Sequence, residues 1–310
     1  MTTGRTRARA ASHVFLVEPV RFRYNRETGE TNAFQTAPSP DEEEALSALA
    51  LEQHNRLREL LLQNQVTLTV AQSLETSPDA PFCNNWFSTH PADGRTPATL
   101  VLYPLLAENR RIERRDDLVG LLRPGYPRLV DLSPNERRAR FLESTGSLVL
   151  DHDGRTAYAC LSPRTDRDLA LEWAAELDYR LVSFRAADRS GVPFYHTNVL
   201  MFVGHGLAGV CLESIGDAAE RAAVEARLRE DGNEVIALTQ EQAANFCGNC
   251  LALSSNAGEP LFVMSSQAWR HFSPAERDLI GRHGRILHTE LSAFERLGGG
   301  SARCLIAELF

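Results

Sequence analysis

The chain has 310 residues, 43% hydrophobic and 24% charged, with a net charge of −8 and a pI near 5.7. That length carries one large domain or two ordinary ones with ample core. The mild acidic surplus argues against nucleic acid or an anionic membrane as the main partner. No apolar run approaches the roughly 18 residues that a bilayer span needs. The basic tip with Arg5, Arg7 and Arg9 lacks the long apolar core of a signal peptide. The expectation is a cytoplasmic protein with a disordered tip over residues 1–12 and a single domain over 13–310.

Val14–Val17 reads as a first strand ended by Glu18-Pro19, and residues 21–40 as a polar, turn-rich loop. Ser39-Pro40-Asp41-Glu42 is a helix start: serine at the cap, proline in the first turn, glutamate three residues after the cap. That helix runs to about Gln63 with Leu46, Leu49, Leu57, Leu60 and Leu61 on one face, and a strand follows at Val66–Val70. The helix–strand pattern then recurs. Helices are expected near Asn109–Leu122, at Asp166–Glu176 after a cap at Thr165, at Asp217–Glu230, and from the capping box Ser273-Pro274-Ala275-Glu276. Each feeds a strand: Arg128–Leu132, Arg180–Phe184, Glu234–Leu238 and Arg285–Leu291. The stretch from Pro91 through Gly94 to Pro97 reads as a hairpin loop.

After every helix–strand pair comes a polar or glycine-bearing motif, then apolar strands. The motifs are Phe82 to Trp86, Phe141 to Gly146, Tyr195 to Asn198, Asn245 to Asn249, and Gly298 to Cys304. With Asn85, Glu143, His196, Asn249 and Cys304 as markers, the gaps are 58, 53, 53 and 55 residues. So even a period predicts five copies of one β/α unit. The fifth copy runs out of chain after Phe310, and Val14–Val17 is free to complete it. The expected fold is therefore α/β: a five-bladed, pseudo-symmetric α/β propeller (pentein-type) closed by the N-terminal strand, with the motifs meeting at its centre. An open, multilayer α/β sheet is the alternative.

Convergence of the motifs would bring Cys304, His196 and Glu143 into one cavity. A cysteine attacks as thiolate, so a base must take its proton or its pKa must fall. Histidine can shuttle that proton to a leaving nitrogen and then activate water. A carboxylate can hold the imidazole or a substrate N–H. The three glycines before Cys304 suit a loop that lets backbone approach a ligand closely, and Cys304–Ala307 reads as a buried strand. The six cysteines read as thiols. Cys247 and Cys250 have a C-x-x-C spacing, with no second pair or histidine pair to complete a zinc site. No metal or cofactor is expected.

These motifs resemble the guanidine-modifying superfamily of arginine deiminases, dimethylarginine hydrolases and amidinotransferases. The resemblance implies the propeller fold, Cys304 as nucleophile on a GGGSARC loop (298–304), His196 as the histidine of an H-x-D motif, and Glu143 as the catalytic glutamate. It extends more loosely to Ser162-Pro163-Arg164-Thr165, similar to a deiminase S-x-R-T segment. Two departures stand out. The deiminase aspartates that grip a guanidinium align with Asn85, in Asn84-Asn85, and with Asn198, in His196-Thr197-Asn198. A buried guanidinium without anionic partners costs several kcal/mol, whereas a carboxamide offers a donor and an acceptor to a neutral ureido group. The chain looks most like the deiminase-related citrulline hydrolases (citrulline ureidases) of bacteria. The expected activity is hydrolysis of citrulline to ornithine, CO2 and ammonia through a covalent Cys304 intermediate. An arginine deiminase or other guanidine hydrolase or amidinotransferase of this fold is the alternative, and a non-catalytic amino-acid-binding propeller a remote one. Asn85 and Asn198 would orient the ureido group, with Arg164 and Arg303 as candidates for the substrate carboxylate. The expected partner is a small amino-acid substrate; assembly into a homo-oligomer is compatible with this reading.

Overall fold

The computed structural model describes residues 10–93 and 96–310. Arg5, Arg7, Arg9 and Gly94 of the expected tip and hairpin loop lie outside the described residues. Of the remaining tip, Ala11 is buried and its carbonyl accepts from the Ser254 amide, while the Ser12 carbonyl accepts from Thr67. Ala11 and Ser12 thus bond to the folded chain.

The strands are β1 (His13–Glu18), β2 (Thr67–Gln72), β3 (Phe87–His90), β4 (Thr99–Leu102), β5 (Arg128–Asp131), β6 (Leu148–Asp151), β7 (Thr156–Cys160), β8 (Arg180–Phe184), β9 (Met201–Gly204), β10 (Leu207–Val210), β11 (Glu234–Ala237), β12 (Leu251–Ser254), β13 (Pro260–Ser265), β14 (Arg285–Thr289) and β15 (Ala307–Leu309). They form five three-stranded sheets, in the orders β15-β1-β2, β3-β4-β5, β6-β7-β8, β9-β10-β11 and β12-β13-β14. In every sheet the middle strand pairs antiparallel with the first and parallel with the third. Parallel neighbours need a crossover, and a helix supplies each one: Pro40–Gln63, Asp116–Leu122, Arg167–Glu176, Ala218–Glu230 and Pro274–His283. One sheet is built from both ends of the chain, Phe15 of β1 standing opposite Ala307 of β15.

Local chemistry explains these bounds and corrects three expectations. At the first helix start the Glu42 carboxylate accepts from the Ser39 amide at 3.0 Å. Asp166, not Thr165, caps its helix, accepting from the Leu169 amide at 2.7 Å. The helix expected over 109–122 is interrupted: Glu108–Glu113 is a 3₁₀ turn that buries Arg110 and Glu113, and the α-helix begins at Asp116. Cys304 does not sit on a strand. Ser292–Gly298 and Ala302–Leu305 are short helices on either side of the glycines, and β15 starts three residues after the cysteine.

The motifs form the turns that precede the first strand of each sheet, and they are bonded to one another in sequence. Asn84 Nδ2 donates to Thr145 Oγ1 (3.2 Å), Asn198 Nδ2 to the Thr145 carbonyl (3.1 Å), Asn249 Nδ2 to the Asn198 carbonyl (2.8 Å) and the Arg303 amide to Asn249 Oδ1 (3.0 Å). The fifth motif meets the first through Cys83 Sγ and the Leu305 carbonyl (3.7 Å).

One core residue carries a stability prediction. His54 is 1% exposed on the inner face of the Pro40–Gln63 helix, and neither ring nitrogen has a hydrogen-bond partner. Burial, helped by the Arg58 charge, pulls its pKa down to about 3. The unfolded chain takes up this proton near pH 6.5 and the folded chain only near 3. Its contribution is therefore intact above pH 6.5 and is lost on acidification through that window, at up to about 1.4 kcal/mol per pH unit. His54→Leu should raise the Tm at neutral pH by removing unsatisfied polar atoms, and should flatten its decline on acidification. Thermal melts across that range check this; an unchanged decline would count against it.

Candidate active site

Glu143 is fully buried, held by a tight turn in which Ser144 adopts a left-handed φ of 44°. A non-glycine residue there is strained, and the turn is pinned by Ser144 Oγ donating to the Phe87 carbonyl and by the Glu143 amide donating to Ser147 Oγ. The carboxylate accepts from the Leu106 amide (3.0 Å) at Oε1. At Oε2 it meets His196 Nε2 (2.8 Å) and Arg164 Nη1 (3.4 Å). Burial opposes its ionisation, but Arg164, the His196 hydrogen bond and Arg110 outweigh that and hold the carboxyl well below its usual range. An ionised Glu143 only accepts, so it fixes the proton on His196 Nε2 and leaves the lone pair on Nδ1. Burial also brings His196 down to about 4 against the opposing pull of Glu143. The imidazole is therefore neutral near pH 7 and competent as a base.

Cys304 is 3% exposed, and burial pushes its thiol pKa up. Its Sγ receives Asn249 Nδ2 at 3.3 Å and Asn198 Nδ2 at 3.6 Å. The structure brings Cys304, His196, Asn85 and Arg164 to one small cavity, with Asp79, Arg110 and Tyr195 among its other walls. Glu143 stands behind His196. Asn198 touches Cys304 from the side. Arg303 is not part of this cavity: its guanidinium binds the Ile306 carbonyl and Glu308 Oε2, both at 2.9 Å, and lines a separate space with Asp151 and His152. The residue after Cys83-Asn84 is fixed in orientation, because Asn85 Oδ1 accepts from Arg110 Nη1 (2.8 Å).

Several cavity residues were not singled out from the sequence. Arg110, within the stretch expected as a helix, is 1% exposed and clasps Glu113 through Nε and Nη2. Asp79 is 1% exposed; its Oδ2 accepts from Asn25 and Thr28 and lies 3.9 Å from Arg110 Nε, while Oδ1 has no hydrogen-bond partner among the described residues. The expected loop 21–40 brings Thr28 and Thr31 onto Arg164 and Asn32 and Gln35 onto the Gly298 carbonyl. Asn249 was legible only as a period marker. Among the described residues no group of three histidine, cysteine or acidic side chains is placed to hold a metal ion, and Cys247 and Cys250 are separate buried thiols.

Gly146 shows how tightly this arrangement is packed. A Cβ there would lie 2.6 Å from Asn85 Nδ2 and 2.7 Å from His196 Nδ1 and Cε1. Gly146→Ala should displace both and cut kcat/KM by on the order of 100-fold, since a shift of about 1 Å in a reacting group has that cost. Steady-state kinetics alongside a thermal melt check this, and full activity in the folded variant would contradict the placement.

A family model for N,N dimethylarginine dimethylhydrolase, eukaryotic, matches residues 18–310. The chain belongs to this family. The family lies within the guanidine-modifying superfamily. Comparison with curated protein sequences gives no significant match. Among solved structures, ArgZ, an arginine dihydrolase from the ornithine–ammonia cycle in cyanobacteria, is similar at 19% identity and a TM-score of 0.72, over 95% of this chain and 40% of that one. Its N-terminal domain, bound covalently to a reaction intermediate, is covered to 97% over 96% of this chain, with a TM-score of 0.73 and 18% identity. A dimethylarginine dimethylaminohydrolase variant, as its adduct with S-methyl-L-thiocitrulline, has a TM-score of 0.64 at 17% identity, over 96% of this chain and 100% of that one. The chain thus spans less than half of full-length ArgZ, and these likenesses establish the shared fold. Among the described residues no helix is long and apolar enough to cross a membrane.

Proposed function

We propose that this family member hydrolyses the ureido group of citrulline, giving ornithine, CO2 and ammonia, as a single cytoplasmic catalytic domain whose five sheets surround the ring of motifs as a propeller. The observation that carries this reading is the orientation of Asn85. Its Oδ1 is taken up by Arg110 and one Nδ2 hydrogen by Asn84 Oδ1 at 3.1 Å, so the donor it has left for a ligand is a single N–H. A ureido carbonyl can accept that hydrogen bond; a guanidinium has no acceptor at all. Asn198 stands beside Sγ, with Nδ2 on the Thr145 carbonyl and Oδ1 3.8 Å from Sγ, and in this reading that oxygen receives a ureido N–H once the thiol proton has moved to His196.

In this reading the Cys304 proton passes to His196 Nδ1 as the thiolate attacks the ureido carbon. The C–N bond to the departing nitrogen breaks as His196 returns the proton to that nitrogen. His196 then deprotonates water, which attacks the thioester-like carbon, frees Sγ and leaves a carbamate that loses CO2. Asp79, with one carboxylate oxygen unpartnered, suits the substrate ammonium, and Arg164 the carboxylate. The tail of an amino acid would then span from these charges to Cys304.

A second reading rests on Asp79 as well. A carboxylate with a free oxygen beside the cavity could instead pair a guanidinium, and ArgZ is an arginine dihydrolase. Incubation of the purified protein with citrulline, arginine and dimethylarginine, with ornithine, citrulline and ammonia measured, separates the two. Ornithine from citrulline, lost in Cys304→Ala, supports the first; citrulline or ornithine from arginine supports the second.

A further inference from the structure

A buried thiol that attacks a neutral ureido carbon has an electrostatic difficulty: the substrate's reacting end brings no positive charge to favour the thiolate. Burial raises the Cys304 pKa, and among the described residues no cationic side chain is hydrogen-bonded to Sγ. What reaches Sγ is carboxamide. Of the two amides, Asn249 has the fixed orientation. Its Oδ1 accepts from the Arg303 main-chain amide at 3.0 Å, which is a donor and cannot face a nitrogen. Its Nδ2 donates to the Asn198 carbonyl at 2.8 Å, which is an acceptor and cannot face an oxygen. Both neighbours demand the same rotamer, and that rotamer leaves the second Nδ2–H aimed at Cys304 Sγ at 3.3 Å. Asn198 is fixed at one end only: its Nδ2 donates to the Thr145 carbonyl at 3.1 Å and reaches Sγ at 3.6 Å, while its Oδ1, at 3.8 Å, is also within reach of the thiol proton.

We infer that Asn249 is a further catalytic residue, a permanent N–H donor that stabilises Cys304 as thiolate and keeps Sγ pointed into the cavity. A hydrogen bond to an ionised acceptor is stronger than one to its neutral form, so the donor favours the reactive state. Asn249 is fully buried, so no water replaces the bond when it is lost. This role rests on Cys304 as the nucleophile of the proposed reaction and is independent of whether citrulline or a guanidino compound is the substrate.

The test reads the thiolate directly, without substrate. The rate of Cys304 alkylation by iodoacetamide is followed against pH in the full-length protein, with Cys304→Ala as the blank and mass spectrometry locating the label. In Asn249→Ala the inflection should move up by about one to two pH units, and kcat on the turned-over substrate should fall at least 10-fold with KM within about three-fold. Asn249→Ser, which keeps an oxygen for the Arg303 amide, should show a shift in the same direction and serves if the alanine variant does not fold. A residue that merely braced the ring would lower Tm in both variants and leave the inflection in place. An inflection within about 0.3 units of wild type in either folded variant overturns the assignment.

Discussion

Cys304→Ala should leave a folded protein that releases no ornithine from citrulline. Sγ is small, and the cavity it leaves is bounded by polar groups, so the loss of packing is about 1 kcal/mol or less. For a chain of 310 residues that lowers Tm by only a few degrees. The kinetic consequence is far larger. Removing the nucleophile from a site whose members act as a unit costs on the order of 10⁴- to 10⁶-fold in kcat. A neutral His196 bonded to Glu143 cannot replace it, because water in the cavity would have to attack the ureido carbon without forming the covalent intermediate. Measured turnover within about ten-fold of wild type would remove Cys304 from the chemistry.

The second large effect is expected from converting the two amides to acids. In Asn198→Asp the new carboxylate faces Sγ and the Thr145 carbonyl, with no cation hydrogen-bonded there. It should suppress the thiolate by like-charge repulsion and leave a buried charge uncompensated. In Asn85→Asp the new charge lies 2.8 Å from Arg110 Nη1 and is partly neutralised, so the milder single phenotype belongs at that position. The double variant should lose at least about 100-fold in kcat/KM for citrulline, close to 2.7 kcal/mol, and gain measurable binding of arginine by calorimetry. If citrulline use is undiminished and arginine binding unchanged, a neutral ureido-binding pocket is not what these residues make.

Much of the placement of these motifs is legible in the sequence because the repeat imposes its own register. Helices that start with a good cap, at Ser39, Asp217 and Ser273, lie where expected, and the spacing of the motifs located the turns that carry Asn85, Glu143, His196 and Cys304. What escaped has a common physical cause. A buried charge cluster such as Arg110–Glu113 has the same local pattern as a solvent-exposed helical pair, and only the fold reveals its burial. Asp79 and the residues between Asn25 and Gln35 belong to segments without periodicity, so nothing in their spacing says which face they present. Cys304 was placed on a strand because apolar residues follow it, but Gly299, with φ of 60°, ends one helix and the chain makes another turn before β15. Arg303 is a candidate for the substrate carboxylate by residue type alone, yet it follows a different direction from the adjacent Cys304 on the helical turn and pairs with Glu308. Asn249 stood in the correct place in the repeat, and its chemistry became readable only once the Arg303 amide and the Asn198 carbonyl fixed its two ends.

The central claim is that Asn85, locked by Arg110 with its N–H outward, selects a neutral ureido group. It is tested most directly by one competition measurement: purified wild-type protein given equal concentrations of citrulline and arginine, with the products separated and quantified. The account predicts ornithine drawn from the citrulline pool, with arginine untouched. Arginine consumed to citrulline or ornithine while added citrulline persists would contradict it.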